Sequence, residues 1–158
     1  MNTVASGEIL SIEVMEVIAD VLELGVSEVH MDASLVDDLD ADSLDLVDIS
    51  FSLGKKFGFK LPTTATLIVA QEMQPEPDTF VLDGKLTEMG VALLQGSPNR
   101  YSKHDVNVGM SVDQVLSNTH VKHWCNLCNC IAQQEGVDGD TAVKTYVSEF
   151  LKTHKLAA

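Results

Sequence analysis

The chain reads as an all-α helical bundle, and three observations lead there. Apolar side chains recur at three- and four-residue spacing in five stretches, with polar side chains between them. Helix-stopping glycines and prolines punctuate those stretches at Gly25, Gly58, Gly96-Ser97-Pro98 and Gly136 to Gly139. The composition, 45% hydrophobic with only 5% aromatic, supplies an aliphatic core. At 158 residues the length is that of one domain.

Residues 8–24 form the first amphipathic pattern. Leu10, Val14, Val17, Ile18, Val21 and Leu22 share one face, Glu13, Glu16, Asp20 and Glu23 the other, and Gly25 stops the helix. Residues 26–42 read as a loop with apolar anchors. The second helix starts at Asp42, a plausible N-cap, with Asp45 in its first turn and Lys55 and Lys56 at its C-terminal end. It carries two apolar stripes, one of Leu44, Val47 and Phe51 and one of Leu46, Ile49, Leu53 and Phe57. Gly58 ends it, with Pro62 behind.

Residues 63–82 give no clear pattern, and Pro75 and Pro77 disfavour a continuous helix there. A helix over 85–95 follows, then a loop over 97–110. Ser111 caps a long helix expected to run to about residue 134 through Val112, Val115, Leu116, Trp124, Leu127, Cys128 and Ile131. A last helix starts at Asp140 or Thr141, with Val143, Val147, Phe150 and Leu151 inside.

Ten basic against 24 acidic side chains give a net charge of −14. A phosphate-backbone binder needs clustered cations, so nucleic acid is excluded as a partner and basic protein surfaces are favoured. Residues 1–60 concentrate the acid, with 13 acidic and 3 basic side chains. No stretch approaches the ~18 apolar residues of a membrane span. Residues 1–6 lack the charged and apolar regions of a secretory signal, and three cysteines within 125–130 make a poor disulfide framework. The expectation is a cytoplasmic monomer.

The most informative stretch is Leu39-Asp40-Ala41-Asp42-Ser43-Leu44-Asp45-Leu46-Val47-Asp48-Ile49, followed by Phe57-Gly58-Phe59-Lys60-Leu61-Pro62. Ser43 lies in the first turn of a helix, where unpaired backbone N–H groups and the dipole favour a phosphodiester. Asp42, Asp45 and Asp48, at i, i+3 and i+6, lay an anionic stripe beside the hydroxyl. Such a stripe is steered quickly and reversibly onto a basic patch.

These residues resemble the acyl carrier proteins over roughly 8–62. The family's Asp-Ser-Leu signature is matched by Asp42-Ser43-Leu44, its acidic-Leu turn by Asp37-Asp38-Leu39, and its Phe-Gly exit by Phe57-Gly58 through Leu61-Pro62. The resemblance implies a four-helix bundle and a protein that is not an enzyme. It implies a 4′-phosphopantetheine arm joined covalently to Ser43 by a phosphopantetheinyl transferase. That arm's thiol would carry acyl thioesters to acyl-chain-processing enzymes of fatty acid, polyketide or specialised lipid synthesis. Asp42, Leu44, Asp45, Val47 and Asp48 correspond to the partner-binding helix, whose partners would bear basic docking patches.

Two departures stand out. Asp40 occupies a position that is commonly glycine in the family. The chain is also about twice the usual length. It is therefore read as a single acyl carrier domain, 1–158, with residues 63–110 inserted or expanded after the second helix and at least one extra helix. The enlarged C-terminal half and the order Ser-Leu-Asp-Leu-Val-Asp-Ile over 43–49 resemble specialised carriers, such as those serving very-long-chain acyl transfer to lipid A.

Alternative readings are a peptidyl (aminoacyl) carrier, an unmodified carrier-like scaffold, or a thiol or zinc protein using His120, His123, Cys125, Cys128 and Cys130. Zinc needs four converging ligands, and on a helix Cys128 and Cys130 point about 200° apart. No metal is therefore expected. Cys128 should pack with Trp124 and Leu127 as a small buried hydrophobe, while the others are exposed or incidental.

Overall fold

The computed structural model describes residues 11–134 and 136–156. Among them are seven α-helices and one short hairpin, an all-α architecture with helices beyond the four of the simplest bundle. Helix α1, Ser11–Leu22, buries Val14, Ile18 and Ala19. Residues 8–10 of the expected helix lie outside the described residues. The helix ends before Gly25, because Glu23 already takes a left-handed φ of 58° and Leu24 N–H donates back to Ala19 at 2.8 Å. Gly25 instead opens a 3-10 turn, Val26–Glu28.

Helix α2, Ser43–Phe57, has the expected ends: Asp42 as N-cap, Lys55 and Lys56 in the last turn, and Gly58 at φ 81° as C-cap. The unpatterned middle contains helix α3, Thr66–Met73, and a hairpin of β1, Val81–Leu82, and β2, Lys85–Leu86. Asp83 and Gly84, both at positive φ, form its two-residue turn, with Val81 opposite Leu86 and Leu82 opposite Lys85. Residues 85–87 are therefore not helical. Helix α4 is Glu88–Gln95, capped by Thr87.

The long helix expected from Ser111 is two: α5, Val112–Ser117, and α6, Val121–Ala132. The break has a physical cause. Leu35 N–H bonds Thr119 O, Val121 N–H bonds Ala33 O, and Ser34 bridges His120, so this backbone pairs with the 33–35 loop rather than with its own helix. Helix α7, Gly139–Thr153, is capped by Asp138 and starts earlier than expected. Gly139 is its first residue, not a breaker. A Cβ there would lie 2.3 Å from Pro62 N, a contact only glycine permits.

Two apolar cores result. The first gathers Val14 and Ile18 of α1, Val29 and Leu35, Ile49 and Leu53 of α2, and Cys128 and Ile131 of α6. The second gathers Leu67 and Ala70 of α3, Phe80, Leu86, Leu93 of α4, Val115 of α5, and Val147 and Leu151 of α7. The chain visits them alternately: α1–α2, then α3–α5, then α6, then α7. Residues 63–110 thus serve mainly the second core. At the crossing, Gly139 N–H bonds Lys60 O at 2.7 Å, and Thr63 N–H bonds the Asp140 carboxylate at 2.8 Å.

Candidate functional site

The approach to Ser43 is a tightly bonded turn. Ser34 N–H donates to Asp38 Oδ2 at 2.7 Å, Asp37 N–H donates to Ser34 Oγ at 3.0 Å, and Ala41 N–H donates to Leu35 O at 2.8 Å. Ala41 is buried and anchors the turn. Asp40 sits at φ 57°, in the left-handed region that favours glycine, and aspartate is among the few other residues that visit it readily.

Asp42 and Asp45 then close a reciprocal cap. Asp45 N–H donates to Asp42 Oδ1 at 2.8 Å, and Asp42 N–H donates to Asp45 Oδ2 at 3.1 Å. This box fixes where α2 begins and places Ser43 as its first residue. Ser43 is exposed, and its hydroxyl has no hydrogen-bond partner among the described residues. No side chain therefore has to move for a group to be joined at that oxygen.

The outward face of α2 is apolar as well as acidic. Leu44 is 79% exposed, Val47 67% and Phe51 68%, whereas Ile49 and Leu53 are fully buried. The two stripes read from the sequence thus part company: one lines the core and the other faces solvent. Asp42 and Asp48 are exposed beside it, and Asp45 is half-buried in its cap. Phe51 was absent from the sequence-derived site set, although its i+4 and i+7 spacing from Val47 and Leu44 carried the signal.

Beside the first turn of α2 lies a small apolar cavity of about 30 Å³, lined by Leu35, Val36, Leu46, Leu116, Thr119 and Trp124. Its walls come from the loop before α2, from α2 itself, from the end of α5 and from α6. A larger hollow of about 400 Å³, between Glu16, Asp20, Ser52, Lys55 and Lys56, is at the far end of α2. Its lining begins about 14 Å from Ser43 along the helix and includes Val17 beside the charged side chains.

The His/Cys group does not converge on one point. Cys128 is fully buried, Cys125 is also buried with Sγ 3.8 Å from Met31 Sδ, and Cys130 is half-buried near Gln134. The expectation that only Cys128 packs inside is corrected, because Cys125 faces α1 and Met31. Burial pushes all three thiols up, Cys128 to about 12, which favours their protonated form. His120 and His123 do share a face, with stacked rings 5.5 Å apart, and Asp105 joins them. Among the described residues no three His, Cys, Asp or Glu side chains are grouped to hold a metal ion.

Residues 13–67 match the family described as a phosphopantetheine attachment site, a range that holds most of α1, Ser43 and all of α2. Within curated proteins, the chain is 50% identical over 46 residues to an acyl carrier protein of Petrotoga mobilis, covering 29% of this chain and 54% of that one. It is 45% identical over 49 residues to polyketide-8 synthase acyl carrier protein 2 of Streptomyces avermitilis, covering 31% and 56%. It is 35% identical over 71 residues to acyl carrier protein AcpXL of Brucella melitensis, covering 44% of this chain and 76% of the relative. For several relatives, including that of Petrotoga, the chain spans only about half to two thirds of their length. No solved structure matches the chain significantly.

Proposed function

This chain belongs to the acyl carrier protein family, and from that premise we propose that it carries acyl groups as thioesters on a 4′-phosphopantetheine arm joined to Ser43 Oγ. The observation that carries the reading is the exposed Ser43 hydroxyl, without a hydrogen-bond partner among the described residues, at the first residue of α2 and inside the matched region. When attached, the arm supplies the thiol for thioester chemistry. The protein's own residues supply position and recognition. Asp42 and Asp45 hold the helix start, so the attachment oxygen has one location relative to the docking face.

The carboxylates of Asp42 and Asp45 beside Ser43 would repel the phosphodiester of an attached arm. Leu44, Val47 and Phe51, rimmed by Asp42 and Asp48, form a face for a partner with an apolar slot and basic margin. Such a partner is a phosphopantetheinyl transferase or an acyl-chain-processing enzyme. Residues 63–110 are read as an expanded segment within one carrier domain, 1–158. The cavity at Leu46 and Trp124 is the place where the aliphatic interior opens to a cargo chain.

Intact mass after incubation with coenzyme A and a phosphopantetheinyl transferase tests the assignment. The expected result is a gain of one phosphopantetheine in the wild type and none in Ser43→Ala. A gain retained in Ser43→Ala would move the attachment elsewhere, and no gain with several transferases would leave an unmodified scaffold.

A further inference from the structure

His123 is fully buried in the first turn of α6, and both of its ring nitrogens are committed. His120 N–H lies 2.8 Å from Nδ1. A backbone N–H only donates, so Nδ1 must be the bare, accepting nitrogen. The ring proton therefore sits on Nε2, donated to Asp105 Oδ2 at 2.9 Å. One imidazole thus caps α6 and at the same time holds Asp105, in the irregular stretch between α4 and α5.

The surroundings reinforce a neutral ring. From the irregular stretch, Tyr101 packs over it at 4.4 Å between ring centroids, and Asp105 accepts its proton. From α6 and its cap, the His120 ring stacks 5.5 Å away, and Lys122 Nζ lies 3.7 Å from Asp105 Oδ1. From the loop before α2, Asp32 engages Lys122 at 3.3 Å. The single buried carboxylate is already matched by Lys122. A proton at Nδ1 would set two donors face to face at the helix cap and add a buried cation beside an existing one.

We propose that His123 is an acid-sensitive latch: its neutral ring fastens the 97–110 stretch to the start of α6, and protonation at Nδ1 releases both. Burial holds the ring's pKa below the ordinary histidine value despite the neighbouring Asp105 carboxylate. The release is felt where α5 and α6 meet the loop before α2, through the Leu35–Thr119, Val121–Ala33 and Ser34–Ser117 hydrogen bonds. It is a property of this junction whatever Ser43 carries.

The sign follows from proton uptake. A histidine with a depressed folded pKa stabilises fully above 6.5, its ordinary value, and that stability is lost as pH falls below it. The variant His123→Gln keeps an uncharged cap, because glutamine three residues into a helix reaches back to the N-cap N–H. Melting temperatures are compared at about pH 7.5 and about pH 5.5. The wild type should lose more of its melting temperature between the two than His123→Gln does, because the unfolded chain binds a proton there that the folded ring does not. His30, His104, His120 and His154 are present in both proteins, so the comparison removes only the His123 imidazole.

Hydrogen exchange on the wild type should quicken at the Leu35, His120 and Val121 amides over the same interval. Long-range ring nitrogen spectra should show an unprotonated Nδ1 until those amides open. Equal pH dependence in the two proteins would overturn the latch. So would a His123 that titrates like a free histidine with the amide spectrum unchanged, a reading on the wild type that decides the matter even if the variant fails to fold.

Discussion

Replacing Asp42 separates the two roles its carboxylate holds. In Asp42→Ala the 2.8 Å bond from Asp45 N–H to Asp42 Oδ1 is lost, while the return bond to Asp45 Oδ2 uses backbone and remains available. One orphan donor of the first turn is then left to water, and the favourable carboxylate–dipole interaction goes with it. Loss of such a cap costs about 1 kcal/mol. For a domain of this size that lowers the melting temperature by roughly 2–4 °C. Asp42→Asn is the informative companion: asparagine caps as well as aspartate, so its melting temperature should stay near the wild type. It also removes one charge from the docking rim, so its transferase reaction should slow while its fold does not change. Thermal melts by far-UV circular dichroism, followed by transferase kinetics at two salt concentrations, read both. If Asp42→Ala melts with the wild type, the cap does not set the start of α2. If Asp42→Asn falls as far as Asp42→Ala, the charge and not the hydrogen bond was stabilising.

Gly139→Ala should destabilise by about 1–3 kcal/mol in urea unfolding, because its Cβ would meet the backbone at Pro62 N and Leu61 C, which cannot step aside. Leu53→Ala, in the fully buried stripe of α2, should cost about 2–5 kcal/mol in the same assay, whereas Leu44→Ala on the exposed stripe should stay within about 0.5 kcal/mol yet weaken transferase binding. Hydrogen bonds outweigh the burial that opposes ionisation of Asp105, from Ser102 N–H and Oγ and from His123, and hold it at about 2. Its stabilisation is complete above its ordinary 3.8 and is lost as pH falls towards 2. Acid titration of Asp105→Asn should therefore lack that last loss.

The parts of this molecule that write themselves locally were legible in the sequence. Helix α2 carries its own N-cap, its own basic last turn and its own terminal glycine, so Ser43 could be placed at its head without a structure. Helix α3 was not legible, because Leu67, Val69 and Ala70 are buried with Ile68 between them exposed, and a short segment apolar nearly all round has no period. The hairpin escaped for a different reason: its strands are two residues each, and Lys85 and Leu86 fall within the helical spacing of 85–95. The 111–134 pattern is continuous in its apolar spacing, and only tertiary bonds to Ala33 and Leu35 break it. The same limit hid Asp105. Spacing put His120 and His123 on one face, but their acidic partner comes from a stretch with no pattern of its own, fifteen or more residues upstream.

The alternation of the chain between its two cores sets an order for its birth on the ribosome. Helices α1 and α2 emerge early, but Ile18, Ile49 and Leu53 have no α6 to close over them until residues 121–132 are made. The second core waits longer still, for α7. Ser43 is therefore translated on a helix whose support, α6, follows more than sixty residues later. An enzyme that reads the finished docking face meets it only after α6 has been made.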